Sequence, residues 1–202
     1  MPTRNPSLHG NAPDKSRVAL LLIDLINDLD FPEGQLLLEQ ALPAARNIRD
    51  LKERARHADI PTIYVNDNFG RWRSDFSAQV NHCLQPGCKG QPLAEILAPD
   101  EKDYFVLKPK HSGFYCTVLE ILLDYLGANT VILTGIAENN CVLFTANDAF
   151  LRDLRLFVPR DCVASNTEND NRVAFEQMER ILKADTRAAS GIELEHLKSA
   201  ER

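Results

Sequence analysis

In residues 131–146 (VILTGIAENNCVLFTA) a β-branched apolar run passes through a polar turn containing Gly135, and Cys141 stands where the next helix should begin. The unpaired N–H groups and dipole at a helix N-terminus stabilise an anion, and a thiolate is the anion a cysteine can become. That makes Cys141 a candidate nucleophile. Two other residues sit where they could serve it. Asp24 closes a nearly continuous apolar run at residues 17–23 (RVALLLI). Lys108 follows a second run at 103–107 (DYFVL), and Pro109 holds it in the extended conformation of a strand end. Each has a plainer reading alone: an aspartate capping a turn, a solvated lysine, a structural thiol. Together they are an acid/base, a cation that stabilises anions, and a nucleophile.

The elements that must bring them together follow from periodicity. Strands are expected at 17–23, 61–65, 103–107, 131–136 and 154–159, with a short edge near 186–189. Pro43 suits the first turn of a helix to residue 58, whose apolar face is Leu42, Ala45, Ile48, Leu51 and Ala55. Further helices are expected at 117–126 with Gly127 as C-cap, from Cys141 to residue 152, and at 171–184 with the stripe Ala174, Met178, Ile181 and Leu182. Strands alternating with helices imply a single-domain α/β fold, a three-layer, Rossmann-like sandwich around a mostly parallel sheet. In such a sheet the carboxyl ends of the strands converge on one crevice, which is where Asp24, Lys108 and Cys141 would meet.

Composition narrows the function classes. At 202 residues, 44% hydrophobic and 26% charged, the chain reads as one globular domain at residues 17–202, preceded by an arm at 1–16 rich in Pro, Asn and Ser. A net charge of −6 argues against a nucleic-acid partner. No apolar run is long enough to span a membrane and no basic-then-apolar leader opens the chain, so a cytoplasmic location is expected. Five scattered cysteines point to reduced thiols. His82, Cys83 and Cys88 could form half of a metal site, but no second pair at ligand spacing completes it. No cofactor is expected. The polar-aromatic loop at 66–76 leaves two readings open. Arg71 and Arg73 beside Trp72, Phe69 and Phe76 could bind an acidic or aromatic substrate, or the arginines could pair with Asp67 and Asp75.

The motifs LLLIDLINDL (20–29), VLKPKHSGFYCT (106–117) and ILTGIAENNCVLFTANDA (132–149), with the weaker FVPRDCVAS (157–165), resemble the isochorismatase-like cysteine hydrolases over nearly the whole chain. That resemblance implies a sheet of six parallel strands and Asp24, Lys108 and Cys141 as the catalytic triad. It also implies a cis peptide between Ile136 and Ala137, with the Ala137 and Cys141 N–H groups forming an oxyanion hole. Asn66, Asn68, Phe69, Arg71, Trp72 and Phe114 become candidate substrate contacts, and a homodimer or homotetramer is expected. Nicotinamidases of this family carry an aspartate followed closely by histidines after strand two. Asp67 is followed by no histidine, which argues against a metal. Cys141 favours hydrolysis of an amide, carbamoyl or ureido C–N bond in a small molecule over vinyl ether cleavage, which does not need the thiol. A non-catalytic binding module, or a redox sensor pairing Cys141 with Cys116 or Cys162, are the alternatives from other classes.

Overall fold

The computed structural model describes residues 12–70 and 73–199. Its centre is β1 (Val18–Ile23), every residue of which is buried. Alternate residues face opposite layers: Val18, Leu20 and Leu22 join one apolar cluster, while Ala19, Leu21 and Ile23 join the other. A strand buried on both faces needs no polar alternation, which explains its continuous apolar run. Beside it run β2 (Thr62–Asp67), β3 (Tyr104–Lys108), β4 (Thr130–Ile136), β5 (Arg155–Phe157) and β6 (Val163–Ala164). The order is β3-β2-β1-β4-β5, all neighbours parallel. β6 pairs with the last two residues of β4, so β5 and β6 follow one another along β4. The expected sixth edge strand near 186–189 is instead a single parallel bridge between Phe157 and Asp185, and β6 is the strand that periodicity missed. Two residues are too short to show a period.

Helices α1 (Gly34–His57), α2 (Phe76–Cys83), α3 (Gln91–Ile96) and α7 (Leu194–Ser199) contribute to the first apolar cluster. Helices α4 (Leu119–Leu126), α5 (Leu143–Phe150) and α6 (Glu168–Arg180) contribute to the second, completing an α/β/α sandwich. Gly127 ends α4 at a left-handed φ of 80°, as a C-cap glycine does.

Several boundaries differ from expectation for physical reasons. Helix α1 begins nine residues before Pro43, which lies inside it. An internal proline removes one helical hydrogen bond and costs about 3 kcal/mol relative to alanine. Leu37, Leu38 and Ala41, all buried upstream of it, outweigh that cost at about 1.5–3 kcal/mol per leucine. Pro43 and Glu39, whose carbonyl loses its partner, are both exposed. Helix α6 starts at Glu168, three residues before the expected 171, because the Thr167 hydroxyl accepts from the Asp170 N–H at 3.1 Å. It ends at Arg180, and Ile181 is exposed rather than part of the buried stripe. Of the expected arm, residues 1–11 lie outside the described residues. Residues 12–16 are packed: Ala12 and Ser16 are buried, the Ser16 N–H donates to the Leu126 carbonyl, and the Tyr104 hydroxyl donates to Asp14. Among the described residues no helix is long and apolar enough to cross a membrane.

Candidate active site

Four adjacent strands, β3, β2, β1 and β4, end together. Ile23 pairs with Val65 and Gly135, and Asp67 pairs with Lys108. Strand β2 therefore runs two residues past its expected end at Val65, because its neighbour β3 offers Leu107 and Lys108 as partners to Asn66 and Asp67. Chain direction changes at Asp24, whose φ of 54° is left-handed, a region aspartate tolerates better than most residues. Gly135, at φ 124°, is a position only glycine fills readily. A Cβ there would stand 2.1 Å from the Ile23 carbonyl oxygen. This close approach sets the segment after β4 beside the end of β1.

That segment is not the start of an α-helix. The Ile136–Ala137 peptide is cis, and residues Glu138–Val142 form one π-helical turn before α5. The Ala137 carbonyl accepts from the Asn140 and Val142 N–H groups at 3.1 and 3.2 Å. Thr145 locks the turn to the lysine loop: its hydroxyl donates to the Cys141 carbonyl at 2.7 Å and accepts from the Gly113 N–H at 3.0 Å.

The folded chain brings the three expected side chains into contact. The Lys108 ammonium, fully buried, lies 2.8 Å from Asp24 Oδ2 and 3.5 Å from Cys141 Sγ. Asp67, which sequence reasoning left in a loop, is a fourth member. Its carboxylate is 3.7 Å from Lys108 Nζ, and its backbone N–H donates to Asp24 Oδ1 at 2.6 Å. Burial raises the Asp24 carboxyl above its ordinary range, against Lys108, Cys141 and the Asp67 N–H, which pull it down. For Lys108 burial works downward, but Asp24, Cys141 and Asp67 together hold it above its ordinary value. The Cys141 thiol is pushed up by burial and then by the Asp24 charge, with Lys108 opposing. A thiolate here is accordingly unfavourable unless its proton stays close, and Asp24, made more basic by burial and hydrogen-bonded to the thiol, can take it.

Above this cluster opens a crevice of about 500 Å³, within the usual size of small-molecule sites. Its wall includes Phe31, Leu37 and Phe69, the residues Ile136 and Ala137, and four asparagines: Asn27, Asn139, Asn140 and Asn166. None of these asparagines is among the candidate substrate contacts expected from the sequence; Asn166 lies just past β6, at the carboxyl end of a strand too short to show a period.

The other expected contacts divide. Phe69 lines the crevice. Asn66 is fully buried beneath it, donating its amide to the Ile26 carbonyl at 2.8 Å. Asn68 is turned into its own loop, where its side-chain oxygen accepts from the Gly70 N–H at 3.0 Å. Phe114 is not among the residues lining the crevice: it is buried in the apolar layer of α4 and α5, with the Arg152 guanidinium 4.7 Å above its ring. Arg73 is exposed, and Arg71 and Trp72 lie outside the described residues. Among the described residues Asp67 lies beside Lys108 and Asp75 caps α2. Among the described residues no group of three or more His, Cys, Asp or Glu side chains could hold a metal ion. His82 instead lies 3.3 Å from Asp28, and Cys83 is buried in the core.

Comparison with known proteins adds independent evidence. Residues 18–189 match the model of the isochorismatase domain. The chain is 42% identical to an uncharacterized isochorismatase family protein of Bacillus subtilis (strain 168), over 85% of this chain and 93% of that one. It is 35% identical to the ureidoacrylate amidohydrolase of Methylobacterium radiotolerans, over 83% and 75%. Among solved structures it is similar to N-carbamoylsarcosine amidase from Thermoplasma acidophilum, with a TM-score of 0.66, 27% identity, and coverage of 88% of this chain and 99% of that one.

Proposed function

The chain belongs to the isochorismatase domain family, and from that premise we propose that it is a cysteine hydrolase cleaving a C–N bond of a small amide, carbamoyl or ureido compound. One observation carries the reading: a single buried ammonium, Lys108, touches both the Asp24 carboxylate and the Cys141 sulfur at the floor of an open crevice. The names of two relatives support the bond type, one an amidohydrolase of ureidoacrylate and one an amidase of N-carbamoylsarcosine.

Asp24 takes the thiol proton, and Lys108 steadies whichever of the two is charged. The thiolate adds to the carbonyl carbon. The backbone N–H groups of Ala137 and Cys141 receive the developing oxyanion, a type of donor pair worth about 3–4 kcal/mol per lost group. Asp24 returns the proton to the departing nitrogen, leaving a thioester on Cys141. Water then attacks that thioester with Asp24 as base, releasing the acid and restoring the thiol. The asparagine-rich wall supports a small polar substrate that trades its hydration for carboxamide hydrogen bonds, with Phe31, Leu37 and Phe69 covering its apolar part.

An ammonia-release screen over small amides, carbamoyl and ureido compounds tests the proposal. At least one class should be hydrolysed, and Cys141→Ala should abolish turnover while leaving the circular dichroism spectrum unchanged. Full activity in that variant, or no release from any class, would overturn it.

A further inference from the structure

Asp24 is not the only proton acceptor near the nucleophile. His111, three residues after Lys108, is exposed and places Nδ1 3.9 Å from Cys141 Sγ. The approach is built in rather than incidental. Three consecutive residues are tied to the helix that carries Cys141 forward. The His111 ring packs against Phe144 with centroids 5.5 Å apart, the Ser112 hydroxyl donates to Asp148, and the Gly113 N–H donates to Thr145. Phe144 lies in the first turn of α5, three residues beyond Cys141.

We propose that His111 is a second acceptor of the Cys141 thiol proton, the solvent-facing counterpart of buried Asp24. In that step the S–H bond breaks and an N–H bond forms at Nδ1, giving a thiolate beside an imidazolium with no change in net charge. Taking the proton outward spares the cluster of Asp24, Asp67 and Lys108 from accommodating it, and lets it exchange with solvent. Imidazole suits the role because its ordinary titration lies close to neutrality. The charged groups around the pair are Lys108 and Asp24 beneath the sulfur, Lys110 beside His111 in the chain, and Asp148 on α5. Asp148 is already engaged by Ser112 and lies 3.9 Å from Arg152, which leaves Cys141 as the partner for the imidazole.

The use of this pair in turnover rests on the hydrolase reading above, but its existence does not. The test is the rate of Cys141 alkylation by iodoacetamide from pH 5 to 9, in wild type and in His111→Gln. Wild type should show a reactive limb that sets in at or below about pH 7, where imidazole ordinarily titrates. His111→Gln should lose that limb and react at least about tenfold more slowly at pH 7. In parallel, His111→Asn should show the same loss of the limb, a measurement that stands even if His111→Gln fails to fold. Superimposable alkylation profiles in wild type and both variants would overturn the proposal. Alkylation needs no amide turnover. An intact limb without hydrolysis of any amide sinks the hydrolase reading alone, and hydrolysis with superimposable profiles sinks this one alone.

Discussion

Glu138 carries a carboxyl group that the fold seals from water. It is fully buried at the start of the π-helical turn, an element that packs against α6 and β6, and both of its carboxyl oxygens lack a hydrogen-bond partner among the described residues. Burial pushes its carboxyl from an ordinary 4.5 up to about 8. Arg160 offsets this only in part, since its guanidinium is committed to Glu179 and to Thr186. Between pH 4.5 and 8 the folded protein keeps a proton that the unfolded chain releases, so stability falls as pH rises across that interval. At about 1.4 kcal/mol per pH unit, the loss approaches 5 kcal/mol by pH 8 as an upper bound, a large part of a typical domain's stability. Glu138→Gln keeps the shape and removes the titration. Urea unfolding followed by far-ultraviolet circular dichroism at pH 5, 6, 7 and 8 should give nearly equal stabilities at pH 5 and a widening advantage for the variant above it. Using the difference between the proteins cancels the other groups that titrate in the window. A gap that stays constant from pH 5 to 8 would refute the reasoning, since it would mean that Glu138 is ionised in the folded state throughout.

Two further substitutions test other parts of the structure. Lys108→Met leaves Asp24 and Asp67 without their shared cation, so activity should vanish, and stability at pH 7 should drop by about 3–5 kcal/mol, the usual cost of orphaning a buried charge. The penalty should shrink as pH falls, because Asp24, already raised by burial and now without Lys108 to pull it down, takes up a proton more readily; urea titrations at pH 7 and pH 5 would show it. Pro43→Ala restores a hydrogen bond to α1 on its exposed side and should stabilise by about 1–2 kcal/mol, the helix gain less the entropy returned to the unfolded chain. A lower urea midpoint in Pro43→Ala would mean that the helix is not continuous through residue 43.

Asp24, Lys108 and Cys141 were legible in the sequence because their signals are local. An apolar run ending in a carboxylate, a lysine held extended by the next proline, and a cysteine just past a strand each follow from a few neighbouring residues. The alternation of strands and helices was legible for the same reason, and it implied that the three would converge. What tertiary structure alone decided depends on partners distant in the chain. Strand β2 extends through Asn66 and Asp67 because β3 lies beside it, and that extension makes Asp67 part of the cluster. Strand β6 exists because the end of β4 was available to pair with it. Helix α1 crosses Pro43 because the apolar layer beneath it rewards the residues upstream. Phe114 belongs to the core, His111 reaches the sulfur and Glu138 is sealed from water for one common reason. Burial and contact are properties of the packed layers, and no local pattern around those residues encodes which layer will close over them.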